Sequence, residues 1–157
     1  MGSSKKAFRN AVVATLTSTL EQHGFARWKP LGRDDGPVLH YERRADSGRD
    51  LVDLQFDKHG AWQCFVNLAR VRGEKVETMF EGEVATDIVT IAQLSERTRL
   101  KGNAFSGAFK SPLLLRIAGK AEQAGEVVGR QIANRMNLTE QWFKTQEPSE
   151  RLQRYKL

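Results

Sequence analysis

Residues 51–57 and 61–71 constrain the fold more tightly than any other part of the chain. In the first run Val52, Leu54 and Phe56 alternate with Asp53, Gln55 and Asp57. Successive side chains of a strand point to opposite faces, so this pattern predicts a half-buried antiparallel strand with a polar outer face. Lys58-His59-Gly60 then predicts a tight hairpin loop. The second run puts Trp62, Cys64, Val66 and Leu68 on one face and Phe65, Ala69 and Val71 on the other. A strand apolar on both faces belongs in the middle of a sheet. Upstream, residues 38–44 alternate as well, Leu39 and Tyr41 against His40 and Glu42, with Ala45-Asp46-Ser47-Gly48 as a turn. Residues 25–29 predict a short strand that stops at Pro30, and residues 31–37 predict an irregular, Gly- and Asp-rich loop.

The sheet needs helices to cover its apolar face, and the chain supplies them at both ends. Phe8, Val12, Leu16 and Leu20 recur every four residues and predict a helix over 4–23, capped by Ser3 or Ser4 and ended by a left-handed Gly24. Its polar side holds Thr15, Thr17, Ser18 and Thr19, poor helix formers, so tertiary packing must stabilise it. Thr86-Asp87 predicts a cap for a short helix carrying Ile88, Val89, Ile91, Ala92 and Leu94. Residues 97–105 read either as a fifth strand or as a loop.

Ser111-Pro112 starts a further helix on which Leu114, Ile117, Ala121, Ala124, Val128, Ile132 and Met136 keep near-helical spacing. Gly119, Gly125 and Gly129 either let that helix pack closely on a neighbour or break it in two. Thr139 caps a last turn with Trp142 and Phe143, Glu147-Pro148 ends regular structure, and residues 149–157 form a frayed basic tail. The expectation is a single α+β domain over 1–157: an N-terminal helix, an antiparallel meander of four to five strands, and C-terminal helices packed on one sheet face.

Several classes of protein are set aside by composition. The longest apolar run, Ala11-Val12-Val13-Ala14, has four residues, and Leu113-Leu114-Leu115 three, against the roughly 20 residues a membrane-spanning helix needs, so no membrane partner is expected. With no secretory pattern near Lys5, Lys6 and Arg9, a cytoplasmic location is expected. One cysteine, Cys64, permits neither an internal disulfide nor a cysteine-based zinc cage. The net charge is +6, with 9 Lys/Arg against 5 Asp/Glu in residues 1–49, 7 against 9 in 50–109, and 9 against 5 in 110–157. The excess sits at the two ends, and a nucleic-acid footprint would require the fold to bring them onto one face.

Laid out in this order, Gly24-Phe25, Tyr41-Glu42-Arg43, the run from Asp50 through Gln55-Phe56, and Phe65-Val66-Asn67-Leu68 form a pattern. It resembles the uncharacterised bacterial domain-of-unknown-function family 4304, over roughly residues 8–71. The resemblance implies a bacterial α+β domain and brings no assigned activity or catalytic residues.

Candidate chemistry is sparse. His23, His40 and His59 fall in separate elements without metal-ligand spacing, and neither a metal nor a cofactor is implied. Asp53, Gln55 and Asp57 form a polar strand face that suits a hard cation or simply solvent. Asp34 or Asp35, Glu42 and Arg44 imitate a metal-dependent nuclease set, but arginine replaces the lysine such a site uses. Cys64 in a core strand lacks the exposure of a nucleophile, and Gly102–Gly107 lacks the lysine of a phosphate cradle. Trp28 between Arg27 and Lys29, extended by Arg43, Arg44, Arg70 and Arg72, suits base stacking with phosphate contacts, or else the indole covers the sheet edge. Trp142-Phe143 is either a docking anchor or a plug beneath the last helix. Without a convergent catalytic set, the first expectation is a non-catalytic binding module acting through a protein partner. The alternatives are a nucleic-acid-binding accessory protein and a metal-dependent hydrolase using Asp53, Asp57 or Glu42.

Overall fold

The computed structural model describes residues 2–29, 36–46, 48–59, 61–72, 77–80, 83–86, 91, 96–103, 106–147 and 149–156. Helix α1 spans Ser3–Gln22 and buries Phe8, Ala11, Val12, Leu16 and Leu20, the expected stripe. Thr15 and Thr17 donate to the carbonyls of Ala11 and Val13 at 2.8 Å, which satisfies their hydroxyls inside the helix. The helix ends as expected, with Gly24 at φ +78°. Gly24 N–H bonds Glu21 O at 2.9 Å and Phe25 N–H bonds Leu20 O at 2.9 Å, the paired closure that a left-handed glycine permits. Its start differs from expectation. Gly2 occupies the cap and no side chain, from Ser3 or Ser4 or elsewhere, caps it.

Strands β1 (Ala26–Trp28), β2 (Val38–Ala45), β3 (Gly48–Phe56) and β4 (Gln63–Arg72) form the expected antiparallel meander, in order. Ala45 pairs with Gly48, so the β2–β3 hairpin is tight, whereas the last β3–β4 pair is Phe56↔Cys64 and that connection is longer than the tight Lys58-His59-Gly60 loop expected. Gly48 is obligatory: its φ is +150°, and a Cβ there would collide with the Val71 carbonyl. After β4 come a separate two-stranded hairpin, β5 (Glu77–Phe80) and β6 (Glu83–Thr86), and then β7 (Glu96–Leu100) and β8 (Ala108–Lys110). β7 and β8 share the outer edge of β4, β7 along Val66–Leu68 and β8 along Gln63–Phe65. Among the described residues the sheet therefore has seven strands rather than four or five, and residues 97–100 are strand.

The extra outer strand is β9 (Leu152–Lys156), antiparallel to β7 from Leu100↔Leu152 to Glu96↔Lys156. Residues 152–156 of the tail expected to fray are thus sheet, Leu157 lies outside the described residues, and Leu152 lies in the core. Local polarity could not reveal this, because β9 is an edge strand whose stability comes from a partner about fifty residues away in sequence.

The C-terminal helices are three: α2 (Leu113–Ile117), α3 (Ala121–Ala133) and α4 (Met136–Thr145). The glycines divide the two proposed roles between them. Gly119, at φ +67°, breaks the helix, while Gly125 and Gly129 seat α3 against α1. Thr139 is buried inside α4 and does not begin it. The helical layer and one sheet face enclose the main core, with Leu54, Val66, Leu68, Leu100 and Phe109 from the sheet and Leu16, Val128, Ile132 and Phe143 from helices. On the other face Ile91 covers Leu51, Ala69 and Val71. Among the described residues no helix is long and apolar enough to cross a membrane. Outside the described residues lie the 31–35 part of the expected loop, Ser47 of the 45–48 turn, Gly60, Ala104, Phe105, Pro148, and the helix proposed over 88–94 except Ile91.

Candidate functional site

The polar strand face exists, and register extends it across the sheet. Trp28, His40, Asp53, Asn67, Arg99 and Gln153 are successive cross-strand partners, one row spanning six strands. His40 Nδ1 lies 2.8 Å from Asp53 Oδ1, and the Trp28 ring meets the His40 ring edge-on at 6.0 Å. Asn67 donates to Gln55 Oε1 at 3.2 Å and accepts from Arg99 Nε at 2.9 Å, while the Arg99 guanidinium lies over Phe65 at 4.7 Å. Asp53 and Asn67 are buried, so this row is a bonded network rather than a solvated face. Asp57 does not join it: its carboxylate accepts from His59 N–H, Ala61 N–H and Gln63 Nε2, closing its own turn.

Burial raises the Asp53 carboxyl above its ordinary pKa, against the opposing pull of His40 and Arg97. A raised native pKa means that the folded state holds this proton more tightly than the unfolded chain does. Stability from Asp53 is thus greatest below about pH 4 and falls as the pH rises through the folded value. Asp53→Asn removes that proton. Urea unfolding at pH 4 and pH 7 is expected to show wild type losing ground to the variant as pH rises, and a constant difference between the two would refute this.

The basic set around Trp28 is dispersed. Arg27 is opposite Tyr41, on the helix-covered face, while Trp28 and Arg44 project to the other. Arg27, Lys29 and Arg44 are exposed and Trp28 is half-buried. Arg43 is half-buried against α4. Its guanidinium bonds Asp50 Oδ2 at 3.0 Å and Glu140 Oε1 at 2.6 Å, and lies over Phe25 at 4.5 Å and Phe143 at 5.2 Å. Burial alone lowers its pKa, but hydrogen bonds and charge from Glu140 and Asp50 outweigh that and raise it. Arg70 holds the other side of Asp50 through Nε to Oδ1 at 2.6 Å, and His23 Nδ1 lies 3.2 Å from Glu140 Oε1. Arg43 and Arg70 are therefore committed to carboxylates, away from Trp28 and Arg44.

The hydrolase set is likewise separated. Glu42 pairs with Arg49 at 3.4 Å, Asp53 with His40, and Asp57 with its turn; Asp34 and Asp35 lie outside the described residues. Among the described residues no three His, Cys, Asp or Glu side chains gather closely enough to hold a metal ion. Cys64 is fully buried and burial pushes its thiol up, as a core position demands. Trp142 and Phe143 are buried against each other in the core, which settles that pair as a plug.

One surface goes against the expected pattern. Leu113, Leu114 and Ile117 of α2 are 65%, 80% and 75% exposed, although Leu114 and Ile117 continue the apolar spacing of α3. Gly119 interrupts that register, and only Leu115 turns inward to pack on the core. Three consecutive leucines cannot share one helix face, so Leu113-Leu114-Leu115 carried the warning. The patch is bordered by exposed Lys110, Arg116 and Lys120. Behind it, Ser111 N–H bonds Trp62 O at 3.0 Å, which ties the start of α2 to the sheet, and Lys120 N–H closes the end of α2 on Leu115 O at 2.9 Å, beside the inward Leu115.

No family model, no curated protein and no solved structure matches this chain.

Proposed function

We propose that this chain is a non-catalytic binding module that acts in the cytoplasm through a protein partner, docking by α2. The observation that carries the reading is the exposure of Leu113, Leu114 and Ile117 together on a fixed helix. Contiguous apolar side chains ringed by polar ones mark interaction surfaces, because leaving them in water forgoes about 1.5–3 kcal/mol each. The neighbouring Lys110, Arg116 and Lys120 favour a partner whose apolar contact is bordered by Asp or Glu. Kinship with family 4304, suggested by the motifs of residues 8–71, belongs to the same proposal.

The test compares wild type with Leu114→Ser/Ile117→Ser as bait, since both side chains are mostly in solvent and the change should leave the melting temperature within a few degrees. A protein retained by wild type, lost by that variant and weakened by Arg116→Glu supports the reading. Identical retention by both baits overturns it. So does saturable binding to anionic vesicles that the double variant abolishes, which would make the patch a lipid contact.

A further inference from the structure

A second surface, independent of the α2 patch, lies where the start of α1 meets the β3–β4 turn. It is a cleft of about 280 Å³, walled by Phe8, Phe56 and Trp62. Phe8 lies parallel to Trp62 at 6.3 Å and edge-on to Phe56 at 6.3 Å, so these walls are fixed by mutual packing. Lys5, Arg9 and Lys58 line it as well. Arg9 lies over the Phe56 ring at 5.7 Å, and Lys5 Nζ reaches the Lys58 carbonyl at 3.3 Å, which places the Lys5 ammonium beside the β3–β4 turn that carries Lys58.

We infer that this cleft binds a small aromatic anion, one or two rings bearing a carboxylate, with the rings against Phe8, Phe56 and Trp62 and the charge toward Lys5, Arg9 and Lys58. Ligand sites are concave and mostly apolar, with a few polar groups that set orientation. Aromatic walls supply the apolar part. For the polar part, the described lining residues include three cations, Lys5, Arg9 and Lys58, and one carboxylate, Asp57, which already accepts from His59, Ala61 and Gln63. The field is reinforced by α1 itself, whose first turn has neither an acidic residue nor a side-chain cap to offset the positive end of its dipole. A volume near the lower end of the range for ligand pockets, about 300–1,000 Å³, suits one or two rings rather than a dinucleotide.

The experiment titrates the full-length chain with 2-naphthoate, with neutral 2-naphthylmethanol and with decanoate. The readout is the Trp62 indole N–H resonance, assigned by its disappearance in Trp62→Phe. Naphthoate should shift this signal saturably and bind about tenfold more tightly than the alcohol, the size expected of a charge contact near the surface. Lys5→Glu and Lys58→Glu, substitutions at a cleft rim rather than in the core, should remove that preference while leaving the alcohol's affinity and the remaining resonances in place. Equal affinity for anion and alcohol, a shift only with decanoate, or no saturable shift each overturns the inference. None of these outcomes bears on α2, whose variants leave the cleft intact.

Discussion

Asp50→Ala is expected to destabilise the protein by about 3–5 kcal/mol, the cost of removing one member of a buried ion cluster and leaving the others charged. Asp50 is 1% exposed and holds two guanidinium groups at once, Arg43 through Oδ2 at 3.0 Å and Arg70 through Oδ1 at 2.6 Å. Both arginines are mostly buried, and both lie over the Phe143 ring, Arg43 at 5.2 Å and Arg70 at 5.7 Å. Without Asp50, Arg43 still has Glu140, but the partly buried Arg70 loses the carboxylate that it holds through two bonds. Asp50→Asn keeps an acceptor of the same shape and should recover part of the loss. Urea denaturation at neutral pH measures the difference, and a loss below about 1 kcal/mol would show that the arginines rehydrate freely.

The second large effect is at the α1–α3 contact. Alanine normally improves a helix over glycine by up to about 1 kcal/mol, so Gly125→Ala ought to stabilise α3. The opposite is expected here, a net loss of about 1–3 kcal/mol, because overpacking a fixed contact outweighs propensity. A Cβ at Gly125 would press into the Phe8 carbonyl and stand 2.7 Å from Ala11 Cβ; at Gly129 it would stand 2.7 Å from Thr15 Cβ. Backbone cannot rotate aside as a long side chain can, so the two helices must separate. A higher melting temperature for either alanine variant would contradict this packing.

The same two sites show how far the sequence could be read. Asp50 continues the alternation of residues 51–57 onto the face of Val52 and Leu54, so a charge on the inward side was legible. Its partners were not, since Arg43 and Arg70 sit on neighbouring strands and Glu140 on a helix ninety residues away. Gly125 and Gly129 stood out in an otherwise regular helix, but only the position of α1 distinguishes close packing from a break. In the sequence Trp28 groups with Arg27 and Lys29, and Asp53 with Gln55 and Asp57. The register of β1 to β4 places Trp28 and Asp53 with His40 in one row, and a shift of one residue in any pairing would have dispersed it.

What the sequence determined by itself is local and periodic. It determined the apolar stripe of α1 and its glycine end, the β2–β3–β4 meander, and which face of β2 and β3 meets the main core, because alternation and helical spacing are properties of contiguous residues. Tertiary structure decided everything that depends on pairing across long separations. It recruited residues 152–156 to the edge of β7, divided the region after Pro112 into three helices, paired Arg43 with Asp50 and Glu140, and left Leu113, Leu114 and Ile117 in solvent. An edge strand, a buried ion cluster and an exposed apolar patch each depend on a distant partner, or on the lack of a covering element. Composition and periodicity carry no information about either.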